Sequence, residues 1–382
     1  MQKKVVKGAC KLSYNKLQLM LGRNRNVILG AVRFSAAVFI CGALMFAGIC
    51  QSTETEAKTV TKKVGKGKIQ TKNGKISINK KTKKVSLKKS GTYTISGKIS
   101  GYTFETAAKK ANIKLTLNGA TLTNTKTSCI YSKYKESKLT LQGKKGKKNS
   151  ISGAKSYPIP KNQKEPDPDA AVYSEGDITF AGQGNIAVND ASSNGEAIHS
   201  KETLTMQSGA VKAVSKLASF HGEDVYIKGG TLNVNAGDTG IKSKKVTYIS
   251  GGTLSVTAGD KGVQGKTGVR ITGGTLGITV SRAAGTSFED FRGIVAGQSG
   301  KGVEGSIYIS AGNITVNSYG DCIRASKDVT ISGGTFNLTS TGDDGIQAKG
   351  ALAMSGSPKL TIKAKGKKVK GEKESIAAGI RY

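Results

Sequence analysis

Short runs of alternating apolar and polar residues fill most of this chain beyond its first ninety residues. Within residues 225–241, two such runs flank the pair Gly229-Gly230, and one further apolar residue, Ile241, follows them. A period of two between apolar residues predicts β-strands, because successive side chains of a strand point to opposite faces. No apolar stripe of helical period lies between the runs, so the sequence predicts an all-β protein.

The same unit recurs along the chain at a nearly fixed spacing. One glycine of each unit falls at Gly230, Gly252, Gly274, Gly312 and Gly334. The steps between these glycines are 22, 22, 38 and 22 residues. A fixed period of this size predicts a stacked solenoid, because one coil cannot bury its own apolar side whereas a stack can. With strands in every unit, the solenoid is predicted to be a parallel β-helix with coils of about 22 residues.

The predicted core consists of five apolar ladders, to which each coil adds one residue apiece. The ladder of the third strand is Val172, Ile198, Phe220, Ile241, Val263, Val303, Ile323 and Ile346. The step of 40 residues between Val263 and Val303 predicts either an extra irregular coil or a loop from Arg282 to Gly300. A second, proline-rich loop is predicted from Ser156 to Asp169.

Residues 1–57 are predicted to be a signal peptide or an N-terminal anchor. Eight basic residues precede an apolar run from Phe34 to Ile49, about 16 residues long, which suits a signal peptide and is short for a membrane span. Cleavage near Ala57 is favoured over lipidation at Cys50, because a lipobox needs a small residue where Ile49 stands. We therefore expect a secreted or cell-surface protein that contacts a membrane only through an uncleaved leader.

Positive charge dominates the chain. Residues 58–90 form a basic segment with 13 lysines and no acidic residue, ahead of the β-helix predicted for residues 91–382. The net charge is +35, and it becomes +29 without the eight basic and two acidic residues of the leader. Such a charge favours anionic polymers through counterion release. We expect an acidic polysaccharide or an anionic cell-wall polymer as partner, and no nucleic acid, because export is predicted and aromatic residues are sparse.

Acidic residues recur in the turn that precedes the third strand. They are Asp238, Asp260, Asp321, Asp343 and Asp344, most of them in a Gly-Asp-x-Gly-Ile/Val motif. Equivalent turns of consecutive coils stack, so these carboxylates would repel one another, and calcium held by carboxylate and backbone oxygens would relieve the repulsion. The sequence thus predicts calcium at one or more of these turns. The alternative is ordinary turn chemistry, in which the Asp side chain bonds its own backbone.

The chain resembles the carbohydrate-binding domain family of clostridial and related bacterial secreted proteins. The resemblance rests on the Ile-x-Gly-Gly-Thr-Leu/Phe units, the Gly-Asp-Asp-Gly-Ile turn at 342–346, and the segments Thr92–Gly97 and Leu115–Ala120. It implies a right-handed parallel β-helix, similar to pectate lyases, that binds acidic sugar polymers and carries calcium. The family's acidic turn positions match Asp238, Asp260, Asp321, Asp343 and Asp344.

Binding is favoured over catalysis, and we assign no catalytic residue. The alternative is a calcium-dependent, pectate-type polysaccharide lyase, in which a Lys or Arg base removes a proton from the sugar. Lys242, Lys245 and Arg324 follow acidic turns and are candidates for that base. Most turns are minimal, however, whereas a lyase cleft needs walls. A structural adhesin is a further alternative, although it gives no reason for the acidic turns.

The chain's two histidines, His199 and His221, occupy the same place on adjacent coils. Two histidines at that spacing can bind a metal ion. We instead expect them to be exposed residues of the outer surface.

Overall fold

The computed structural model of the protein describes residues 58–282, 290–298 and 302–382. The leader predicted for residues 1–57 lies outside the described residues. Residues 57–382 form one compact unit. Every regular element among the described residues is a β-strand, and that part of the chain contains no helix long and apolar enough to cross a membrane.

The described part of the chain contains 32 strands. In chain order they are β1 (Val60–Val64), β2 (Lys66–Thr71), β3 (Ile76–Asn79), β4 (Lys84–Leu87), β5 (Gly91–Ser100), β6 (Thr103–Thr106), β7 (Asn112–Thr123), β8 (Ile130–Ser132), β9 (Lys138–Gly143), β10 (Lys148–Ser152), β11 (Ala170–Ser174), β12 (Asp177–Gly182), β13 (Asn185–Asn189), β14 (Glu196–Met206), β15 (Ala210–Ser215) and β16 (Phe220–Ile227). They continue with β17 (Thr231–Ala236), β18 (Thr239–Ser243), β19 (Val246–Ile249), β20 (Thr253–Ala258), β21 (Lys261–Gly265), β22 (Gly268–Val280), β23 (Arg292–Ala296), β24 (Ser306–Ser318), β25 (Ile323–Ala325), β26 (Val329–Ile331), β27 (Thr335–Ser340), β28 (Ile346–Ala348), β29 (Ala351–Met354), β30 (Lys359–Ala364), β31 (Val369–Lys370) and β32 (Lys373–Ile376).

Strands of successive coils pair in parallel and form three ladders along the stack. In the second ladder, for example, β17 pairs residue by residue with β15 on one side and with β20 on the other. The stack contains about 12 turns, so the parallel β-helix predicted from the repeat is confirmed. Backbone N–H and C=O groups therefore find their partners on the neighbouring coils.

The apolar ladders predicted from the alternation form the core. Val225, Ile227, Leu232, Val234 and Ile241 of one coil are all buried. Their equivalents on the next coils pair with them directly, as Ile241 of β18 does with Val263 of β21. Val225 is the exception, since it pairs with the buried Thr247. The other four residues have apolar partners on the next coil, so the stack buries a continuous core that no single coil could form.

The repeating glycine has a conformational cause. Gly230, Gly252, Gly274, Gly312 and Gly334 all have positive φ, between 79° and 121°. Only glycine adopts this region freely, since other residues place Cβ against the backbone there. A Cβ at Gly252 would also lie 2.9 Å from the carbonyl oxygen of Gly230 on the coil before. The turn between the first and second strands therefore requires glycine on each of these coils.

One assignment in the third ladder is wrong. Ile294 of β23, rather than Val303, pairs with Val263 on one side and with Ile323 on the other. Val303 lies outside the ladder and makes an isolated antiparallel bridge with Gln298. The interval predicted as a loop or an irregular coil thus contains a regular third strand. The coil lacks the Gly-Asp turn that marks the others, so the motif could not locate it.

The lysine-rich segment folds against the start of the helix. β1 and β2 form an antiparallel hairpin, β2 pairs antiparallel with β5, and β3 pairs antiparallel with β4. Ile69, Val85 and Leu87 are buried in this region, whereas most of its lysines are exposed. The segment therefore adds to the core with its apolar residues and presents its charge to solvent.

Several charged and polar side chains lie on the outward side of the third ladder, which we call the third-strand face. It consists of the residue that follows each buried ladder residue, because neighbouring side chains of a strand point to opposite sides. In order along the stack these residues are Glu105, Tyr131, Tyr173, His199, His221, Lys242, Gln264, Val295, Arg324, Gln347 and Lys370.

Candidate functional site: a charged groove

The five acidic residues predicted as metal ligands all lie in turns that lead into the third strand. The structure brings three of them together: carboxylate oxygens of Asp321, Asp343 and Asp344 lie within 4.8 Å of one another. Asp238 and Asp260 do not join any group of three or more metal-ligating side chains among the described residues. The acidic turns are therefore not equivalent to one another.

The acidic residues occupy two positions relative to the buried ladder residue that follows them. Asp321 and Asp344 stand two residues before Ile323 and Ile346, which pair with each other on adjacent coils. Asp238, Asp260 and Asp343 each stand three residues before a ladder residue. Asp321 and Asp344 are buried, but position alone does not decide burial, because Asp260 is only 7% exposed whereas Asp238 and Asp343 are partly exposed.

Asp321 is a fully buried carboxylate between two guanidinium groups. Arg324 Nη1 donates to its Oδ2 at 2.9 Å, and Arg292 Nε lies 3.3 Å from the same oxygen without hydrogen-bond geometry. Burial raises the pKa of Asp321 to about 6, and repulsion by Asp343 adds to this, while Arg324 and Arg292 act in the opposite direction. The two guanidinium groups therefore offset only part of the free-energy cost of burying the charged Asp321 carboxylate.

Asp344 is held by contacts within its own coil and with the next coil. Its Oδ2 accepts a hydrogen bond of 2.8 Å from Gln347 and lies 3.5 Å from Lys370 Nζ. Its Oδ1 accepts the backbone N–H of Lys367 at 2.7 Å. These contacts fix the carboxylate beside Asp321, whose Oδ1 accepts the backbone N–H of Asp344 itself.

Ion pairs continue the site across two further coils. Lys261 Nζ contacts the carboxylate of Asp260 and lies 3.0 Å from Asp290 Oδ2. Arg292 Nη1 lies 2.5 Å from the other oxygen of Asp290. Burial works against ionisation of Asp290, but attraction by Lys261 and Arg292 outweighs it and lowers the pKa. Acidic and basic side chains thus alternate from one coil to the next.

Two adjoining cavities run along these residues, with volumes of about 220 and 620 Å³. Arg292 lines both cavities, which therefore adjoin at this side chain. Gln264 lines the smaller cavity and Gln347 the larger one. We call this feature the charged groove, defined by Lys261, Asp290, Arg292, Asp321, Arg324, Asp343, Asp344 and Lys370.

Sequence reasoning missed part of the groove. Asp290 and Arg292 lie in the interval that was predicted to be irregular, so no motif pointed to them. Lys261 stands inside the Gly-Asp-Lys-Gly turn at 259–262. A single lysine is not a distinctive signal in a chain with 60 basic residues. Of the three candidate bases, Arg324 lines the groove, Lys242 lies on the third-strand face, and Lys245 pairs with Glu223 at 3.3 Å.

The donor set of Asp321, Asp343 and Asp344 suits calcium. Calcium prefers carboxylate and carbonyl oxygens at 2.3–2.6 Å, so two of its ligands lie at most about 5 Å apart. The separations in the cluster stay within that limit. The incompletely compensated charge of Asp321 is the structural reason that a cation would be favourable there. Arg292, Arg324 and Lys370 oppose it, because they already offset part of the negative charge.

The expectation that the histidines are exposed is wrong. His199 and His221 are each only 5% exposed. Their rings stack on one another, and carboxylates of Asp169 and Glu196 bind them from the side. Asp169 and Glu196 are not among the five acidic turn residues predicted as metal ligands. The sequence therefore did not predict the burial of the histidines.

Residues 81–345, about two thirds of the chain, match the family described as "Carbohydrate-binding domain-containing protein". The chain belongs to this family. The matched region contains the charged groove from Lys261 to Asp344. Membership supports carbohydrate binding as the function and a polysaccharide as the partner.

Individual relatives are more distant. A carbohydrate-binding domain-containing protein of Acetivibrio thermocellus is 34% identical over 126 residues, which are 33% of this chain and 43% of that protein. The chain thus matches less than half of that relative's length. Among solved structures, a polysaccharide lyase-like protein from C. thermocellum, in a gadolinium derivative, is 22% identical with a TM-score of 0.46. That match covers 84% of this chain and 98% of the other.

Proposed function

We propose that this protein binds an acidic polysaccharide along the charged groove, outside the cytoplasm, with calcium at Asp321, Asp343 and Asp344. The observation that carries the proposal is the row of cationic side chains on one face of the stack. The row consists of Lys261, Arg292, Arg324 and Lys370. Successive coils lie about 4.8 Å apart, so an extended polymer with an acidic group on each sugar can meet these side chains in turn.

Calcium accounts for the acidic residues in a groove that binds an anion. Without it, the carboxylates of Asp321 and Asp344 hold Arg292, Arg324 and Lys370 in internal ion pairs. A bound divalent cation would compensate those carboxylates and leave the basic side chains able to face the polymer. The ion would also attract a sugar carboxylate directly, because a bound cation is often the largest local charge in a site.

Overall charge supports an anionic partner as well. The chain carries a net charge of +35 and its lysine-rich segment is exposed, so anionic polymers are attracted over the whole surface. The groove would add a fixed geometry to this general attraction. The extracytoplasmic location is inferred from the predicted leader at residues 1–57.

A calcium-dependent lyase is the second candidate function. One observation favours it: burial and repulsion by Arg324 lower the pKa of Arg292, which makes that guanidinium a better base than usual. The pKa of Lys261 argues against a lyase. Burial alone would lower the pKa of Lys261, but Asp260 and Asp290 outweigh it and raise the pKa, so the amine stays protonated and cannot remove a proton. Binding is therefore the function that the groove supports best.

The test is retention of the protein on immobilised polygalacturonate, with calcium or with a chelator, while ultraviolet absorbance reports any unsaturated product. We expect retention that needs calcium and yields no such product. Release of unsaturated product would overturn the binding role in favour of the lyase. Retention that ignores the chelator and disappears with added salt would assign binding to the exposed lysines and leave the acidic residues as turn residues.

A further inference from the structure

A second cluster of titratable side chains lies on the third-strand face, away from the charged groove. It contains both histidines of the chain, His199 and His221. These residues pair across adjacent coils, and their rings stack with centroids 4.2 Å apart and planes within 8° of parallel. Donor atoms of Glu196, His199 and His221 lie within 4.8 Å of one another. The cluster thus gathers nitrogen donors, which the groove lacks.

Each imidazole is bound by a carboxylate on one side. His199 Nδ1 lies 2.7 Å from Asp169 Oδ1, and His221 Nδ1 lies 2.8 Å from Glu196 Oε2. A neutral imidazole whose Nδ1–H donates to a carboxylate keeps a lone pair on Nε2.

The Nε2 atoms of both histidines are buried and have no hydrogen-bond partner among the residues that the structure describes. Buried polar groups are almost always paired, so two adjacent unpaired nitrogens point to a missing ligand. A carboxylate on Nδ1 with Nε2 left open is the arrangement of histidines that bind transition metals. There the carboxylate fixes the tautomer and raises the basicity of the ligand nitrogen.

We propose that His199 and His221 bind one divalent transition-metal ion of the zinc class through their Nε2 atoms, with Asp169 and Glu196 orienting the rings. Calcium does not suit this site, because it takes oxygen ligands. His199 also lines a cleft of about 400 Å³, together with Asp167 and Asp169. The site is independent of the polysaccharide proposal, since no residue of the groove takes part.

Binding changes the geometry of the stacked rings. Parallel rings hold their Nε2 lone pairs side by side, whereas a shared ion needs them to converge. Two nitrogens bound to one zinc ion lie at most about 4.2 Å apart, because each Zn–N bond is about 2.1 Å. The rings therefore tilt towards one another at Nε2 when the ion binds, and the stacking at 8° is lost.

The test titrates zinc chloride into the metal-free protein by calorimetry, with His199→Gln, His221→Gln and Asp169→Asn as variants. The control is Glu304→Gln, at an exposed carboxylate outside both sites. We expect one zinc ion per chain. Either histidine variant should lower the affinity at least tenfold, Asp169→Asn should lower it about 10–100-fold, and the control should leave it unchanged. Excess calcium should not displace the zinc.

Copper(II) gives a second readout that needs no variant. The chain has only two histidines, so imidazole nitrogen couplings in the electron paramagnetic resonance spectrum of the copper(II)-loaded protein must come from His199 and His221. Couplings from two imidazoles support the proposal. A spectrum with oxygen ligands alone, an absence of saturable zinc binding, or unchanged zinc affinity in both histidine variants would overturn it.

Discussion

Asp344 lies over Asp321 on the next coil of the helix, and its backbone N–H donates a hydrogen bond of 3.2 Å to the Asp321 carboxylate. The two residues occupy the same position before Ile346 and Ile323, which pair across the coils. Carboxylates stacked in this way repel each other, and Arg292 and Arg324 compensate only one of them closely. The charged groove is thus built around a buried negative charge that needs a further cation.

The charge on Asp321 should make the protein less stable as the pH rises. Its folded-state pKa is about 6, above the ordinary value of 3.8, so the folded state binds the proton more tightly than the unfolded state does. The contribution of this group to stability is therefore present below about pH 4 and is lost as the pH rises through about 6. Between those limits, wild type should lose about 1–3 kcal/mol relative to Asp321→Asn in denaturant unfolding without calcium.

Asparagine at position 321 keeps an acceptor for the backbone N–H of Asp344 and removes the charge. Asp321→Asn should therefore be at least as stable as wild type at neutral pH when calcium is absent. A difference between the two proteins that does not change with pH would contradict this account. So would a large loss of stability in the variant, because it would mean that the pairs with Arg292 and Arg324 outweigh the cost of burial.

Asp343 should contribute to calcium affinity more than to stability. It is partly exposed, and its carboxylate belongs to the cluster with Asp321 and Asp344. Asp343→Asn should weaken calcium binding at least tenfold in a calorimetric titration and should change the free energy of unfolding without calcium by less than about 0.5 kcal/mol. Asp238→Asn and Asp260→Asn are the matched controls, since those residues lie outside the cluster. Equal losses of affinity in all three variants would contradict this and would show that calcium binds at each of these acidic turns.

Glycine at the repeated turn should be required for stability. Gly252 has a φ of 87°, and a Cβ there would lie 2.9 Å from the Gly230 carbonyl oxygen. Gly252→Ala should destabilise the protein by about 1–3 kcal/mol in denaturant unfolding. Gly277→Ala is the control, because it lies in the strand β22 and its nearest atom to a new Cβ is 3.8 Å away. Similar stability of the two variants would refute the steric explanation of the repeat.

The repeat made most of the fold predictable from sequence. Alternation identified buried residues such as Val225 and Ile227, and the glycine positions fixed the length of each coil. Both signals are local, so each coil carries them independently. Ile294 was not predicted as a ladder residue, because the long interval before it breaks the 22-residue spacing and no Gly-Asp turn precedes it.

The charged groove was predictable only in part. Counting Asp residues in the turns found Asp321, Asp343 and Asp344, but it treated them as equivalent to Asp238 and Asp260. The cluster forms where two adjacent coils both place an Asp two residues before the ladder residue, as they do at Asp321 and Asp344, so it depends on a pair of coils rather than on one turn. Pairs such as Lys261 with Asp290 join residues from different coils, so they require the register of the stack.

The most direct test of the account compares two double variants with the same loss of charge. Arg324→Gln with Lys370→Gln removes cations from the charged groove, whereas Lys359→Gln with Lys363→Gln removes exposed lysines from β30 in the second ladder. Affinity electrophoresis through polygalacturonate with calcium measures the binding of each. We predict at least a tenfold loss for the groove variant and less than a twofold loss for the other. Equal losses in the two variants would contradict the central claim, because binding would then depend on net charge rather than on the groove.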